Sequence, residues 1–233
     1  MRALLSIFLL FALIGESGHA AQPRFTAVPV DLSKQHLELF LRDDAGLPFH
    51  RFSKLERWLH DHGKQLLFAM NAGMFHADYS PVGLFVAQGK EAAPLNLSNG
   101  RGNFFLKPNG VFVVTNDGPK IVEASKYAEK TAEVMLATQS GPLLIENGVI
   151  HPAFRTDSRS RLIRNGVGIS GNTVYFVVSD DPVTFYEFAV YFKSQLNCDN
   201  ALYFDGVVSA IFAPELGRRQ SRVNLGPIIA VVE

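Results

Sequence analysis

The sequence has little cysteine and no excess of charge of either sign. Its 233 residues include one cysteine, Cys198, and its 22 basic side chains balance 22 acidic ones. A single thiol excludes an intrachain disulfide, so the apolar core must stabilise the fold, and we expect Cys198 to be a buried filler. Balanced charge without a basic stripe argues against nucleic acid as the main partner. A site for an anion must therefore be local and built from a few arginines.

Long hydrophobic runs are absent beyond the N-terminus. The run from Ala3 to Ile14 follows the basic Arg2 and is too short to span a bilayer comfortably. Small residues, Gly18 and Ala20, then stand at the positions that a signal peptidase reads. This pattern predicts a secretory signal over residues 1–20 that is cleaved after Ala20; an uncleaved N-terminal anchor is the alternative. We therefore expect a periplasmic or secreted domain over residues 21–233, with no stable membrane span after cleavage.

Short apolar runs separated by turn residues dominate the rest of the chain, and 47% of all residues are hydrophobic. Two helices are marked by capping-box patterns, Ser53 with Glu56 and Thr184 with Glu187. A hairpin is predicted across the turn at 107–110, between strands at 103–106 and 111–115. The pattern predicts a single α+β domain, with a mostly antiparallel sheet or partial barrel and a few packed helices.

A carboxylate stands at the end of the most apolar predicted strand. Ala201–Phe204 is wholly apolar, which is typical of a strand buried on both faces, and it breaks at Asp205-Gly206. This places the carboxylate at the rim of the core, where catalytic groups are often found. The alternative is that Asp205 only forms the turn, because its short side chain tolerates turn conformations.

A second polar group follows the buried strand predicted over 65–70. Asn71 and Gly73 begin a loop that also holds His76 and Asp78. Loops that follow buried strands often carry functional side chains, and small residues let the backbone approach another group closely. The alternative is that Asn71 bonds only to the backbone of its own turn.

The segment before the predicted strand at 167–170 is rich in arginine, with Arg155, Arg159, Arg161 and Arg164. Such a cluster is typical of a solvated loop, and an anion site is the alternative. Arg164 is the best candidate for binding an anion because it stands directly at the start of the strand.

Four stretches together resemble the phosphodiester glycosidase family, in particular its short exported bacterial members. They match the family's N-G-G-F-F, G-G-P-L, R-x-x-x-G and D-G-G-G-S elements in order and spacing. The stretches are Asn71–Phe75, Ser140–Leu144, Arg164–Ile169 and Asp205–Ser209.

The resemblance implies hydrolysis of a sugar-1-phosphodiester, which releases the sugar from the phosphate of a small molecule or an envelope glycan. It implies that Asp205 acts as nucleophile, base or oxocarbenium stabiliser, that Arg164 binds the phosphate, and that Asn71 positions oxygens. The implied substrate-binding residues are Gly73, His76, Ser140, Gly141, His151, Gly206 and Ser209. Asp78 and Asp180 are second-rank metal candidates; no cofactor is certain, and a divalent metal stays open.

The chain departs from the family pattern at Ala72, Val207 and Val208, which stand where the family has glycine. Two valines would occupy or narrow the space in which a sugar could lie against bare backbone. A second hypothesis is therefore a non-catalytic envelope module that binds carbohydrate on the same fold. A third is a metal-dependent hydrolase of another bond, although the sequence has no recognised metal-ligand spacing such as HExxH.

Overall fold

The computed structural model describes residues 23–127, 133–206, 208–219 and 223–233. The predicted signal segment therefore lies outside the described residues. The helices are α1 (Phe52–Asp61), α2 (Ala124–Tyr127) and α3 (Phe185–Val190), which continues as a π-helical turn over Tyr191–Gln195. Short 3-10 turns cover Asn103–Phe105 and Pro214–Leu216. In the part of the chain that is described, no helix has the length and apolarity needed to cross a bilayer.

Strands make up most of the structure. They are β1 (Phe25–Asp31), β2 (His36–Phe40), β3 (Leu66–Asn71), β4 (Phe85–Ala87), β5 (Lys90–Ala93), β6 (Gly110–Thr115), β7 (Gly118–Glu123), β8 (Val134–Ser140), β9 (Leu143–Glu146), β10 (Val149–Ile150), β11 (Asn165–Ser170), β12 (Thr173–Ser179), β13 (Asn200–Asp205), β14 (Ile211–Phe212) and β15 (Ile228–Val232).

These strands form three sheets in which neighbouring strands pair antiparallel. The first sheet has the order β1-β12-β11-β13-β9-β10, the second β14-β3-β15-β2, and the third β5-β4-β8-β6-β7. The pairings β1–β12, β3–β15 and β6–β8 illustrate the antiparallel register in each. The single α+β domain with mostly antiparallel strands is confirmed.

One apolar core joins the three sheets. Phe176 of the first sheet contacts Phe68 of the second at 5.2 Å and Phe112 of the third at 6.1 Å between ring centroids. All three rings are buried, and burial of each such side chain stabilises the fold by roughly 1.5–3 kcal/mol. The shared core fixes the sheets relative to one another, so that their ends meet at defined positions.

The prediction of a capping box at the start of α1 is wrong. Arg51 occupies the N-cap position with extended backbone and no side-chain cap, and the helix begins at Phe52, before Ser53. Phe52, Leu55 and Leu59 are buried in one cluster, so packing of this apolar stripe determines where the helix starts. Gly63 follows the helix with φ +71°, the left-handed conformation that glycine adopts easily.

The capping box at α3 is confirmed. Thr184 Oγ1 accepts a hydrogen bond from Glu187 N at 3.1 Å, and Thr184 N donates to Glu187 Oε2 at 2.8 Å. Glu187 also pairs with Arg161 at 3.0 Å. The cap fixes the first turn of α3, where Phe185 lies against the first sheet.

The hairpin predicted across residues 107–110 is wrong. Asn103–Phe105 forms a 3-10 turn whose Phe104 is buried, and β6 pairs with β7, which the sequence did not predict. The buried Asn109 donates its side-chain amide to Phe104 O at 3.0 Å. The turn-forming residues therefore anchor a loop beneath the third sheet instead of reversing a hairpin.

Candidate active site

The three sheets meet at one end, where β3, β8 and β13 all terminate. Thr138 Oγ1 of the third sheet donates to Ala72 O, directly after β3, at 2.5 Å. Ser140 Oγ donates to Phe204 O of the first sheet at 2.8 Å. Both hydroxyls are buried, so each bond joins two sheets without competition from water. These bonds hold together the strand ends that carry the candidate residues.

Asn71 and Asn165 form an amide pair across this junction. Asn165 Nδ2 donates to Asn71 Oδ1, and both side chains are fully buried. Each oxygen also accepts a backbone N–H, that of Asp205 onto Asn165 Oδ1 at 2.9 Å and that of Ala210 onto Asn71 Oδ1 at 3.0 Å. The pair therefore clamps both ends of the segment from Asp205 to Ala210. The Asn71 side chain therefore bonds to distant segments, in contrast to the alternative that it bonds only to the backbone of its own turn.

Asp205 lies half-buried at the last position of β13, opposite Asn165 of β11. Its Oδ1 accepts a hydrogen bond from Gly206 N at 2.6 Å, and Ser209 Oγ donates to its backbone carbonyl at 3.2 Å. Ala201–Phe204 before it is wholly buried, as the sequence predicted. A rigid buried strand thus delivers a carboxylate to the junction, with its backbone fixed on both sides.

Arg164 lies beneath the surface on the α3 side of the first sheet. Its guanidinium donates from Nε to Val183 O at 2.9 Å and from Nη2 to Ser160 O at 3.1 Å, and it stacks 3.7 Å from the Phe185 ring centroid. Nη1 is buried without a hydrogen-bond partner, and no carboxylate of the described chain lies within ion-pair distance. Burial lowers the pKa of Arg164, while Tyr203 acts in the opposite direction. The result is a buried positive charge with one nitrogen, Nη1, left without a hydrogen-bond acceptor in the described chain.

Tyr203 connects this arginine to the Asp205-Gly206 turn. The ring lies 5.6 Å from the Arg164 guanidinium and 4.8 Å from Phe185, edge to face. Its hydroxyl is buried and makes no hydrogen bond of normal geometry within the described residues. Burial raises the pKa of Tyr203, Arg164 opposes this rise, and the Asp205 charge adds to it.

The glycines predicted to contact substrate have structural reasons of their own. Gly73 has φ +116°, and a Cβ there would lie 3.2 Å from both Gln139 O and Thr138 Oγ1. A Cβ on Gly141 would lie 2.6 Å from Asn109 Cβ and 2.8 Å from Phe104 O. Close packing between loops at the junction therefore accounts for both residues.

Two predicted residues lie on the exposed loop after β3. His76 and Asp78 are both exposed, and Asp78 accepts hydrogen bonds from the backbone and hydroxyl of Ser80. Those bonds lower the pKa of Asp78. The described contacts tie Asp78 to its own turn and not to Asp205.

His151 and Asp180 are held by partners elsewhere. His151 is buried, with Nε2 bonded to Lys107 O at 3.0 Å and Nδ1 accepting from Ala153 N at 3.1 Å. Asp180 accepts from Thr26 Oγ1 and pairs with Arg218. Among the residues that the structure describes, no group of three or more His, Cys, Asp or Glu side chains is arranged to hold a metal ion.

Sequence reasoning missed Asn165 and Tyr203. Tyr203 lies within the predicted strand, two positions before Asp205. Asn165 follows Arg164, and only the register between β11 and β13 places it opposite Asp205. Val208, which the sequence flagged as a group that could fill the site, packs against the apolar cluster beneath α1 with Phe212 and Leu225. Val207 lies outside the described residues.

Comparison with known proteins agrees with the motifs. The phosphodiester glycosidase family model matches residues 64–223. An uncharacterized protein, YigE of Escherichia coli K12, is 36% identical over 212 residues, which is 89% of this chain and 82% of that protein. A family match over most of the chain defines the class, and the protein belongs to the phosphodiester glycosidase family.

Two solved structures share the fold. The catalytic domain of zebrafish N-acetylglucosamine-1-phosphodiester alpha-N-acetylglucosaminidase, auto-inhibited by its pro-peptide, superposes with a TM-score of 0.59 at 14% identity, covering 93% of this chain and 85% of that one. A hypothetical protein from Synechocystis gives a TM-score of 0.54 at 15% identity, covering 89% of this chain and 59% of that one.

Proposed function

We propose that this protein hydrolyses a sugar-1-phosphodiester and releases the sugar from the phosphate. The observation that carries the proposal is the convergence of Asp205 with the buried amide pair of Asn71 and Asn165 at the three-sheet junction. Such a clamp holds a carboxylate in one place, which is what catalysis by positioning requires. Membership of the family supplies the reaction class.

The Asp205 carboxylate stabilises the positive charge that develops on the anomeric carbon of the sugar as the glycosidic bond breaks. Glycosidases normally use a second carboxylic acid to protonate the leaving oxygen. A phosphate monoester leaves as a stable anion and needs less protonation, so one carboxylate can carry the reaction. A site built around Asp205 alone can therefore catalyse this reaction without a second carboxylic acid.

Arg164 stabilises the negative charge that grows on the leaving phosphate through its electric field and not by contact, since its side chain is fully buried. Because the guanidinium is fully buried, its charge acts through a weakly screened environment. The two backbone carbonyls and the Phe185 ring fix its position before substrate binds. Ser209 and Gly206, which bracket the turn, contribute the polar backbone and hydroxyl groups that orient sugar or phosphate oxygens.

The proposal also includes a location outside the cytoplasm and a substrate that is a small molecule or an envelope glycan. The support for export is the apolar N-terminal run with its basic start and small terminal residues. Localisation of a C-terminally tagged chain by cell fractionation tests this part, and retention in the cytoplasm would contradict it.

The reaction is tested with a chromogenic sugar phosphodiester and the Asp205→Asn variant. Asn keeps the size and the oxygen that accepts the Gly206 N–H, so the fold is retained while the negative charge is lost. We expect kcat to fall by on the order of 10²–10³-fold or more. Asp199→Asn is the matched control, because Asp199 is exposed and immediately precedes the same strand.

The outcomes separate the three hypotheses. Binding of the sugar phosphodiester without release by the wild-type protein favours the non-catalytic binding module. Turnover that a chelator removes favours the metal-dependent hydrolase. Near-normal turnover by Asp205→Asn with a normal unfolding transition would show that Asp205 has been assigned the wrong role.

A further inference from the structure

The hydroxyl of Tyr203 is the feature of the junction that the mechanism above does not use. Tyr203 is fully buried, and its hydroxyl makes no hydrogen bond of normal geometry with the described residues. Burying an unpartnered hydroxyl destabilises a fold, because the group loses its bonds to water. Buried polar groups without partners are rare in native structures, so the position calls for an explanation.

The hydroxyl lies directly beneath the turn that follows the candidate catalytic carboxylate. A Cβ added to Gly206 would overlap the Tyr203 hydroxyl oxygen, and Ile163 O lies 3.5 Å from the same point. Only glycine therefore fits at position 206 while Tyr203 is present. The phenol sets how closely the backbone of the turn can approach the first sheet.

The tyrosine ring is itself fixed. Phe185 packs edge to face against the Tyr203 ring, with 4.8 Å between centroids. The Arg164 guanidinium in turn stacks on Phe185, 3.7 Å from its ring centroid. Phe185 also stacks on Phe154 at 4.9 Å. A ring held this way transmits the position of Arg164 to the turn, because neither side chain can move alone in a packed interior.

We propose that Tyr203 is a positioning residue that holds the Asp205-Gly206 turn over Arg164 in the geometry needed for turnover. The inference rests on the proposed function. Full burial keeps the phenol from touching substrate, so its role is to place Asp205 and not to react. The hydroxyl remains protonated throughout the neutral range, since burial raises its pKa.

Tyr203→Phe tests the proposal because it removes only the hydroxyl. We expect kcat on the chromogenic phosphodiester to fall roughly ten- to hundredfold with KM changed less than about threefold. We also expect the unfolding midpoint to stay the same or rise, because an unpartnered buried polar atom has been removed. Tyr175→Phe, on β12 at the opposite end of the sheet, is the matched control and should leave kcat unchanged.

A stability cycle tests the contact independently of catalysis. Gly206→Ala places a methyl group against the phenol oxygen and should lower the unfolding midpoint. Adding Tyr203→Phe should recover part of that loss, since the overlapping oxygen is gone, but should not restore turnover. Strictly additive midpoint shifts would contradict the contact.

The results distinguish failure of this inference from failure of the proposed function. A wild-type protein without turnover overturns the proposed function, and the inference with it, even if the stability cycle shows the contact. A wild-type kcat in Tyr203→Phe overturns the positioning role of Tyr203 and leaves the role proposed for Asp205 unaffected. A lower midpoint in Tyr203→Phe also overturns it, because a purely structural hydroxyl would then account for the residue.

Discussion

Asn165 donates its side-chain amide to Asn71 across two sheets, although the residues are 94 positions apart in the chain. Each then accepts a backbone N–H from one end of the segment between Asp205 and Ala210. The position of the candidate catalytic carboxylate therefore depends on the alignment of two sheets, and changes to this amide pair should affect stability and activity together.

Asn165→Ala tests that dependence. The change leaves Asp205 N and one polar group of Asn71 without partners inside the protein, which should lower the free energy of unfolding by about 1–3 kcal/mol. Activity should also fall, because the turn loses its anchor on the first sheet. Urea denaturation and steady-state kinetics measure the two effects.

Asn116→Ala is the control for that experiment, since Asn116 is an exposed residue in the β6–β7 turn. It should change neither quantity appreciably. An Asn165→Ala protein as stable and active as the control would show that the amide pair does not anchor the site.

Lysine should not perform the functions of arginine at position 164, which the Arg164→Lys variant tests. A lysine ammonium cannot bond Val183 O and Ser160 O in the planar arrangement of the guanidinium, and it loses the stacking on Phe185. We expect both lower stability and at least about tenfold lower kcat/KM. Arg155→Lys, whose side chain forms an exposed pair with Asp157, is the matched control. Wild-type kinetics in Arg164→Lys would exclude a specific role for the guanidinium.

His151 should make stability depend on pH. Burial lowers its pKa below 6.5, so the unfolded chain binds a proton before the folded chain does. The stabilisation from the neutral imidazole is therefore complete above pH 6.5 and is lost as pH falls from there toward the folded-state pKa. Urea midpoints at pH 7.5 and 5.5 should drop more for wild type than for His151→Gln.

The exposed Asn116, which does not titrate, supplies the comparison, because Asn116→Gln should follow the wild-type pH dependence. Equal pH dependence in wild type and His151→Gln would show that His151 does not titrate differently in the folded and unfolded chains.

Cys198 should be unreactive in the folded protein. The thiol is 2% exposed, and burial raises its pKa to about 12. Since the thiolate is the reactive form, labelling by a thiol reagent at pH 8 should be slower than in denaturant by roughly 10³-fold or more. Rapid labelling under native conditions would mean that this part of the core opens readily.

Much of the fold could be predicted from local patterns. The apolar run Ala201–Phe204 and the capping box of Thr184 each depend on neighbouring residues, and the structure has them as predicted. The predicted start of α1 was wrong because burial of Phe52 outweighs the capping preference of Ser53. β7 was missed because its sequence, GPKIVE, contains few apolar residues, and only its pairing with β6 makes it a strand.

The candidate site was predicted only in part for the same physical reason. Asp205 and Asn71 stood out because each follows an apolar strand. Asn165 reads locally as part of a turn, and Tyr203 as one apolar residue of a buried strand. Tyr203 shares a strand face with Asp205 because side chains two positions apart point the same way, but its apolar neighbours masked this. The proximity of Asn165 to Asp205 comes from strand register, which no short stretch of sequence contains.

Hydrolysis of a sugar-1-phosphodiester in ¹⁸O-labelled water, followed by mass spectrometry of both products, tests the central claim most directly. If Asp205 supports glycosidase chemistry, the bond between the anomeric carbon and oxygen breaks, and the label appears in the released sugar. Asp205→Asn should then produce neither labelled product at a comparable rate. Label in the phosphate product would show cleavage between phosphorus and oxygen and would contradict the account.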